Sequence, residues 1–435
     1  MNVAVVGAGP VGVASAAVYA LGGHRVSIVE RSAERVALLR RGALPFFEEG
    51  LSRAWRSLAG AVAVVPSVAL CPEVPQVVVC CVGTPSLPDG SADLSQLDAV
   101  LGALEGLPPC TLVVRSTVPP GTGRRLLPRL RAAGHGYASH PEFLQEGSAL
   151  RDTVQPSRLV VGADDPEPRE AVYALYPDAT CPRVSVDIPT AEFIKVATNA
   201  HLAMRVSYIN EMALLADRLG ADIDAVAEGV GLDPRIGRAY LRAGLGYGGS
   251  CFPKDTRALT ALARGLDEEM PLLRAVIEIN ARQPVLLAER LRTRLGGLRG
   301  RRLGLWGLAF KPGTNDMRES QAVRLLELLC ADGAEVAVHD PVAVGNGHLP
   351  AGAVQVPTAL DAVAGAQAVV LATEWPEYRG LRPEEVAGCM AAPRLLLDAR
   401  NVLPPHAWTA AGIDYCGVGR HHRRPAAEVG HVRLG

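Results

Sequence analysis

The segment at residues 246–255 combines a cysteine with side chains that could control its protonation. Its sequence is GYGGSCFPKD, so that Lys254 and Asp255 follow Cys251 by three and four residues. A thiolate is a strong nucleophile, and neighbouring charges set the fraction of the thiol that is ionised. The spacing predicts covalent catalysis by Cys251. The alternative is that Cys251 is a buried, small apolar side chain, as most cysteines are.

Lysines are rare in this chain. They are Lys195, Lys254 and Lys311, and arginine supplies the other 41 of the 44 basic side chains. A lysine ammonium is compact and its pKa shifts with burial, whereas the arginine guanidinium is a flat, permanently charged fork. We therefore treat the three lysines as candidate functional residues, with retention by chance as the alternative.

Two further pairs of residues could hold or move charge. Lys195 and Asn199 are four residues apart in a helical stretch and share a face, where both could donate hydrogen bonds to an oxyanion. Glu142 and Glu146 lie in the sequence HPEFLQEG at 140–147 and could supply a base and a cofactor contact. The alternatives are a solvated helix face for the first pair and the first turn of a helix for the second.

A glycine-rich turn near the amino terminus predicts a dinucleotide site. The strand-like residues 2–6 precede GAGPVG at 7–12, where a helix is expected to begin. In such a turn the first Gly permits a tight bend, the second lets a pyrophosphate approach, and the third lets the helix pack on the strand. Glu30 ends the next strand and could accept both ribose hydroxyls. This acid favours NAD over NADP, while Arg31 and Arg35 lie nearby and leave NADP open.

The elements that must position these residues alternate between strands and helices. Short apolar runs interleaved with helical patterns continue to about residue 185 and predict a parallel sheet with helices on both faces. A long helix is predicted from Thr190 to Leu219, and the alternation resumes near residue 301. We predict an α/β protein with two Rossmann-like doubly wound domains joined by a long central helix and a helical middle domain. The expected domain boundaries are 1–189, 190–298 and 299–435.

The second Rossmann-like half differs from the first at the turn after its first strand. Residues 306–313 have the sequence WGLAFKPG, which contains Lys311 but no GxGxxG, although Gly333 to Asp340 repeats the spacing of Gly23 to Glu30. Lys311 could meet a diphosphate as a point charge, so this half could hold a different nucleotide. A surface turn is the alternative.

Composition and charge argue against several other classes of protein. The net charge of −1 indicates neither a nucleic-acid partner nor a membrane surface, and no apolar run approaches the ~20 residues that span a bilayer. Nine cysteines without paired spacing argue against a disulfide framework, and we predict no metal site. The amino terminus does not resemble a secretory signal, so we expect a cytoplasmic protein. We expect His421 and His422 to lie in a solvated tail, with metal binding as the alternative.

Taken together, the motifs closely resemble those of the UDP-glucose 6-dehydrogenases, within the UDP-glucose/GDP-mannose dehydrogenase family, over nearly the whole chain. The matching stretches are GAGPVG at 7–12, RSTVPPGT at 115–122, PEFLQEGSAL at 141–150, FIKVATNA at 193–200, DPRIG at 233–237, GYGGSCFPKDT at 246–256, GLAFKPGTNDMRES at 307–320, ATEW at 372–375 and DARN at 398–401. The chain departs from the family at His140, where Asn or Ser is usual, and at Arg242, where Lys is frequent. Both departures could alter which sugar nucleotide is accepted.

The resemblance implies an NAD-dependent oxidation of UDP-glucose to UDP-glucuronate in two hydride transfers, through a thiohemiacetal and a thioester on Cys251. It also implies at least a homodimer, formed through the long central helix. One alternative is the same chemistry on TDP-glucose, GDP-mannose or an N-acetylated UDP-hexose, and another is a two-electron 3-hydroxyacid dehydrogenase. A non-catalytic sensor of NAD or of a sugar nucleotide is disfavoured, because a sensor has no use for a tuned thiol.

The resemblance and the glycine-rich turn assign roles to individual residues. The expected catalytic residues are Cys251, Asp255, Lys195, Asn199, Glu142 and Thr117. The expected NAD-binding residues are Gly7, Gly9, Pro10, Val11, Gly12, Glu30, Arg35, Thr84, Thr117, Glu146, Lys254 and Arg318. The expected UDP-sugar-binding residues are Glu142, Phe143, Leu144, Lys195, Asn199, Arg235, Tyr240, Leu241, Arg242, Gly248, Phe310, Lys311 and Arg400, with Arg235 supplied by a second subunit.

Overall fold

A computed structural model describes residues 1–344 and 349–420 of the chain, so His421 and His422 lie outside the described residues. The chain divides into two compact units. The first comprises Met1–His201, Ser250–Arg274 and Gly313–Asn315, and the second comprises Leu202–Gly249, Ala275–Pro312 and the described residues from Asp316 onward. Within the described ranges, no helix combines the length and the hydropathy needed to cross a membrane.

The first unit is built on an eight-stranded sheet that lies wholly within the described residues. Its strands are β1 (Asn2–Val6), β2 (Arg25–Val29), β3 (Ala63–Val65), β4 (Val77–Cys80), β5 (Thr111–Val114), β6 (Gly136–Ser139), β7 (Leu159–Gly162) and β8 (Arg183–Val186). Their order in the sheet is β3-β2-β1-β4-β5-β6-β7-β8. Residues of one strand alternate between two buried clusters, as Val3 and Val5 do with Ala4, because successive side chains point to opposite faces.

One strand pair departs from the predicted parallel sheet. β6 and β7 are antiparallel and pair through Ser139 and Gly162, whereas the other neighbouring pairs in this sheet are parallel. A parallel connection must return the chain to the end of the sheet at which the previous strand began, usually through a helix. The chain between β6 and β7 is mostly irregular and holds only the six-residue helix Ala149–Val154. β7 therefore starts at the end of the sheet where β6 finishes.

Helices cover both faces of this sheet and then give way to a helical middle region. The helices that follow the strands are α1 (Pro10–Leu21), α2 (Ala33–Arg40), α3 (Leu51–Ser57), α4 (Ser95–Leu104), α5 (Thr122–Ala132), α6 (Ala149–Val154) and α7 (Pro166–Ala174). The middle region contains α8 (Ile188–Leu219), α9 (Ile223–Gly231), α10 (Phe252–Arg264) and α11 (Pro271–Leu295). The boundary between the two units falls within α8 and again within α11.

The second unit contains a six-stranded parallel sheet among the described residues. Its strands are β9 (Arg302–Trp306), β10 (Glu335–His339), β11 (Ala353–Gln355), β12 (Ala368–Leu371), β13 (Leu395–Asp398) and β14 (Asp414–Gly417), in the order β11-β10-β9-β12-β13-β14. Its helices are α12 (Gln321–Ala331), α13 (Ala359–Val363), α14 (Pro376–Arg379), α15 (Pro383–Cys389) and α16 (Pro405–Ala410).

The two sheets share one arrangement at their centre. In each, the first strand lies between the second and the fourth, so the order reverses beside the first strand, as in doubly wound α/β folds. The carboxyl ends of the strands at such a reversal form the crevice where these folds bind ligands. The predicted fold class is therefore confirmed, while the three domain boundaries stay a prediction.

Candidate active site

The glycine-rich turn lies between β1 and α1, and its three glycines differ in their surroundings. A Cβ on Gly12 would lie 1.8 Å from the carbonyl oxygen of Gly7, and a Cβ on Gly7, where φ is +102°, would lie 2.6 Å from the carbonyl oxygen of Cys81. A Cβ on Gly9, which caps the amino terminus of α1 ahead of Pro10 and Val11, would meet no protein atom within 4 Å. The fold itself thus requires Gly7 and Gly12, whereas Gly9 leaves room for a pyrophosphate at the helix terminus.

Glu30 follows β2, as predicted, and is buried. Its Oε1 accepts a hydrogen bond from the amide of Ser32 at 2.9 Å, and its Oε2 lies 3.5 Å from Nη1 of Arg35. Arg35 is thus paired with the acid. An acid beside a helix terminus fits a dinucleotide whose ribose carries free hydroxyls, which is the arrangement NAD requires.

Cys251 caps the amino terminus of α10, and its Sγ lies 3.5 Å from Oγ of Ser250. Burial is the largest influence on this thiol and raises its pKa to about 11. The carboxylate of Glu142 raises the pKa as well, and the ammonium of Lys195 opposes it. In the protein without ligands, Cys251 is therefore a protonated thiol at neutral pH.

Lys195 and Glu142 form a buried ion pair beside Cys251. Nζ of Lys195 lies 2.9 Å from Oε1 of Glu142, and the two side chains are 4% and 7% exposed. Burial alone would lower the pKa of Lys195, but Glu142, with Cys251 and Asp255, raises it overall. Oε2 of Glu142 accepts the amide of Leu144 at 2.8 Å, which fixes the carboxylate. Lys195 is thus held as a cation within the apolar interior.

A second chain of hydrogen bonds runs from α8 through α10 to the loops after β4 and β5. Asp255 is buried and accepts Nδ2 of Asn199 at 2.6 Å and Nζ of Lys254 at 2.5 Å. Nζ of Lys254 also donates to Oγ1 of Thr84 at 3.4 Å, and Thr84 donates to the carbonyl oxygen of Thr117 at 2.8 Å. The structure thus brings together residues that the sequence assigned to catalysis and to NAD.

Two residues in this region were missed by the sequence analysis. Ser250 donates its hydroxyl proton to Oε1 of Glu146 at 2.9 Å. Glu48 is buried and accepts the amides of Gly147 and Ala149, each at 2.8 Å. The position of Ser250 next to Cys251 was an available signal. Glu48 gives no local signal, because its partners lie about a hundred residues along the chain.

The departure at His140 is explained by its surroundings. His140 is 2% exposed, with Nδ1 at 2.8 Å from the carbonyl oxygen of Val160 and Nε2 at 3.2 Å from the hydroxyl of Tyr176. Burial, reinforced by the Arg115 guanidinium, lowers its pKa to about 3, so the ring is neutral. Both ring nitrogens are therefore committed to protein partners.

The ring of Phe143, a predicted substrate residue, packs against a cation, with Cζ of Arg158 at 3.8 Å from the ring centroid.

In the second unit, the glycines before Ser250 permit a close backbone approach. A Cβ on Gly248 would lie 2.4 Å from the carbonyl oxygen of Glu319. A Cβ on Gly249, where φ is +84°, would lie 2.7 Å from the ring of Phe310. Nζ of Lys311 lies 5.7 Å from the centroid of the same ring. Gly248, Phe310 and Lys311 are thus brought together, as a shared nucleotide site would require.

Arg400 organises three segments of the second unit. Its guanidinium donates to the carbonyl oxygens of Ala372 at 2.6 Å, Phe310 at 3.1 Å and Gly246 at 3.2 Å. Asn280 of α11 holds the same loop from another side, because its amide accepts the Tyr247 N–H at 2.8 Å and donates to the Tyr247 carbonyl at 2.9 Å. The predicted contact of Arg400 with a sugar nucleotide stays a prediction.

Arg235 and Arg318 are both exposed and have the same local arrangement. Each guanidinium pairs with the aspartate two residues earlier, Asp233 at 2.6 Å and Asp316 at 2.7 Å. The backbone after Arg235 is fixed by Arg205 of α8, which donates to the carbonyl oxygens of residues 236, 237 and 239. The remaining predicted substrate residues follow this loop: Tyr240, with φ of +62°, buried Leu241 and exposed Arg242.

Asp340 occupies the position in the second unit that Glu30 occupies in the first, but it is used differently. Its Oδ2 accepts the amides of Leu308 at 2.7 Å and Ala309 at 3.0 Å, which belong to the turn after β9. Its Oδ1 accepts the amides of Val342 at 3.0 Å and Ala343 at 2.8 Å. The second unit therefore closes its own turn, which accounts for the lack of a GxGxxG fingerprint.

Comparison with known proteins agrees with this geometry. Residues 1–180, 189–282 and 304–405 match the NAD binding, central and UDP binding domains of the UDP-glucose/GDP-mannose dehydrogenase family. The UDP-glucose 6-dehydrogenase of Pseudomonas aeruginosa is 42% identical over 97% of this chain and 98% of its own. The structure of a UDP-glucose dehydrogenase from Pyrobaculum islandicum has a TM-score of 0.88 at 38% identity, covering 96% of this chain and 98% of its own. That of a UDP-D-ManNAc dehydrogenase from Pyrococcus horikoshii has a TM-score of 0.85 at 25% identity, covering 97% and 100%. This chain belongs to the UDP-glucose/GDP-mannose dehydrogenase family.

Proposed function

We propose that this protein is an NAD-dependent dehydrogenase that oxidises the C6 alcohol of UDP-glucose to the carboxylate of UDP-glucuronate. The observation that carries the proposal is the buried cluster around Cys251, in which a thiol lies beside the Lys195–Glu142 ion pair. A simple alcohol dehydrogenase needs a proton acceptor and a hydride acceptor but no nucleophile. The names of the relatives from Pseudomonas aeruginosa and Pyrobaculum islandicum support UDP-glucose as the substrate.

The proposed organisation follows the predicted boundaries at 1–189, 190–298 and 299–435. Of the two compact units, the first would bind NAD at the Gly9 turn and Glu30, and it also contains Cys251, which belongs to the predicted middle domain at 190–298. The second would bind the UDP group through Gly248, Phe310 and Lys311, with Lys311 facing the diphosphate. The ranges matched by the three family domains support this division.

The first oxidation requires the sugar hydroxyl to lose a proton while its carbon loses a hydride. NAD, when bound, accepts one hydride in each of the two oxidations. The buried carboxylates of Asp255 and Glu142 are the proton-handling groups, with Thr117 helping to hold a water molecule. Lys195 and Asn199 donate hydrogen bonds to the oxygen as negative charge develops. Their donors are already oriented by Glu142 and Asp255, so little reorganisation is needed.

The second oxidation uses Cys251 as a nucleophile. Its thiolate adds to the C6 aldehyde, forming an S–C bond as the carbonyl π bond becomes an alkoxide, which gives the thiohemiacetal. Lys195 and Asn199 stabilise this oxyanion. Loss of the second hydride leaves a thioester, and water then hydrolyses the S–C bond to release the carboxylate and restore the thiol.

We propose that the active form is at least a homodimer. Along α8, the side chains of Tyr208, Leu215 and Leu219 are 43%, 53% and 72% exposed, at spacings of seven and four residues that place them on one face. A face of this kind on a surface helix is suited to cover an equivalent face of a second copy. Arg235, whose side chain is 87% exposed on a loop held by Arg205, is suited to reach the site of a partner.

The second candidate function is the same chemistry on an N-acetylated UDP-hexose. The structural similarity to the UDP-D-ManNAc dehydrogenase of Pyrococcus horikoshii supports it, because the fold and coverage are nearly as close. The lower identity, 25% against 38% for the UDP-glucose dehydrogenase, favours UDP-glucose.

The test is the number of NADH molecules formed per sugar nucleotide consumed. The native protein, Cys251→Ser and Cys389→Ser are each assayed with UDP-glucose, TDP-glucose, GDP-mannose and UDP-N-acetylglucosamine. Cys389→Ser is the control, because it alters an exposed thiol. We expect two NADH per UDP-glucose for the native protein and for Cys389→Ser, and no complete turnover for Cys251→Ser. One NADH per sugar would contradict the four-electron mechanism. Turnover restricted to another sugar nucleotide would change the assigned substrate and leave the proposed mechanism unchanged.

A further inference from the structure

The thiol of Cys251 must lose a proton before it can attack, and none of the charged groups that influence its pKa, among the described residues, hydrogen-bonds the sulfur itself. Lys195 from α8 faces it but is paired with Glu142 from the segment after β6. Asp255 from α10 accepts hydrogen bonds from Asn199 and Lys254. Both carboxylates raise the pKa of the thiol rather than lower it. The hydrogen-bond partner of the sulfur itself is a neutral hydroxyl.

That hydroxyl belongs to Ser250, and its hydrogen bonds have a defined direction. A serine hydroxyl has one proton to donate. Ser250 donates it to Oε1 of Glu146 at 2.9 Å. The contact between Ser250 Oγ and Cys251 Sγ, at 3.5 Å, can then be made only by the thiol donating to the hydroxyl oxygen. The result is a directed chain from the thiol through the hydroxyl to a carboxylate.

We propose that Ser250 is a further catalytic residue that relays the thiol proton of Cys251 to Glu146. The Sγ proton moves to Oγ of Ser250 while the hydroxyl proton of Ser250 moves to Oε1 of Glu146. The products are a thiolate, an unchanged serine and a carboxylic acid, so charge and atoms balance and no electrons are transferred. The inference rests on the proposed role of Cys251 as a nucleophile.

The surroundings hold both ends of the relay in place. Glu48 accepts the amides of Gly147 and Ala149, which fixes the backbone next to Glu146. At the other end, Cys251 is the capping residue of a thirteen-residue helix, whose amino-terminal dipole stabilises a thiolate once it forms. The relay thus moves the negative charge from Glu146 to the end of α10.

The experiment compares Ser250→Thr with Ser250→Val, which have the same shape and differ only in the hydroxyl. Full-length protein without NAD or sugar nucleotide is alkylated with iodoacetamide across pH 5 to 10, and labelling of the Cys251 peptide is measured by mass spectrometry. With the relay, Glu146 acts as a general base through Ser250. Below the pKa of the thiol, the alkylation rate then stops rising with pH and reaches a plateau near neutral pH. Without it, the rate rises tenfold per pH unit, following the thiolate population.

We expect the plateau in the native protein and in Ser250→Thr and its loss in Ser250→Val and Glu146→Gln. Because a positioned base contributes roughly 10²- to 10⁴-fold to proton transfer, the alkylation rate at pH 7 should fall by about 100-fold in the last two. Ser148→Ala is the control. It removes a hydroxyl from the same loop as Glu146, but this hydroxyl donates to Asp152, so the variant should keep the plateau.

Two results would overturn the relay. One is a plateau in Ser250→Val equal to that of the native protein, and the other is an equal loss in the Thr and Val variants, which would assign the effect to side-chain size. The assay contains neither substrate nor NAD, so its outcome is separate from that of the proposed function. A protein that forms one NADH per sugar but shows the plateau would refute the four-electron mechanism and with it the catalytic role of Ser250, while the proton path from Cys251 to Glu146 would stand.

Discussion

Glu192 provides a prediction in which the pH dependence of stability follows from one buried acid. It lies on α8, is 2% exposed, and accepts the amides of Gly121 at 2.7 Å and Gly123 at 2.8 Å at the start of α5. The hydroxyl of Tyr137 lies 3.4 Å from the same carboxyl group. Burial, which outweighs the hydrogen bonds, raises the pKa of Glu192 from 4.5 to about 7.

The sign follows from proton binding. Between pH 4.5 and about 7, the folded protein keeps the Glu192 proton that the unfolded chain has lost, so the free energy of unfolding falls as pH rises through this window. The difference between the two pKa values corresponds to roughly 3 kcal/mol in the free energy of unfolding. Protonated Glu192 makes this contribution in full below pH 4.5, and the contribution is lost above about pH 7. A glutamine cannot titrate, so Glu192→Gln should remove this contribution.

The assay is urea unfolding at pH 5, 6, 7 and 8, with the native protein, Glu192→Gln and Glu170→Gln, which alters an exposed acid on α7. Between pH 5 and pH 8, we expect the free energy of unfolding of the native protein to fall by roughly 2–3 kcal/mol more than that of Glu192→Gln. Glu170→Gln should follow the native protein. Parallel curves for the native protein and Glu192→Gln would refute the reasoning, because they would show that the acid is not held protonated by the fold.

Further predictions concern the glycine-rich turn, the buried ion pair and the ribose contact. Gly9→Ala should fold normally but bind NAD at least about tenfold more weakly, whereas Gly12→Ala should fail to fold, as circular dichroism and NAD titration will show. Lys195→Met should destabilise the protein by about 3–5 kcal/mol in urea unfolding, and adding Glu142→Leu should restore most of that stability without restoring turnover. Glu30→Ala should raise KM for NAD by roughly 10- to 100-fold and leave KM for UDP-glucose unchanged in steady-state kinetics.

Local patterns in the sequence were sufficient for the fold class. The strand Asn2–Val6 has its predicted limits, because an apolar run bounded by loop residues carries a clear signal. The long helix begins at Ile188, two residues before the predicted start, because Pro189 is tolerated in a first turn. The antiparallel β7 was not predicted, since strand direction depends on where the chain re-enters the sheet.

Residues of the candidate site that are neighbours in sequence could be grouped from the sequence itself, whereas Glu142 and Lys195 were grouped with Cys251 by resemblance. Cys251, Lys254 and Asp255 lie within five residues, so their proximity was visible. The contact between Ser250 and Glu146 joins residues 104 positions apart, and no periodicity reports it. Arg400 was assigned to the sugar nucleotide by resemblance, and the structure adds its three backbone carbonyl partners, which a sequence cannot show.

The contrast between Glu30 and Asp340 limits how the two halves could be redesigned. Glu30 accepts one amide, that of Ser32 beside it, whereas Asp340 binds the turn that precedes α12 through two amides and reaches Nε1 of Trp375 at 3.2 Å. Grafting GxGxxG onto residues 306–313 would therefore present a pyrophosphate with amides that an internal carboxylate already occupies. The acid at this topological position thus binds a neighbouring amide in the first half and the turn itself in the second, so giving the second half a pyrophosphate-binding turn would require changing the acid before the glycines.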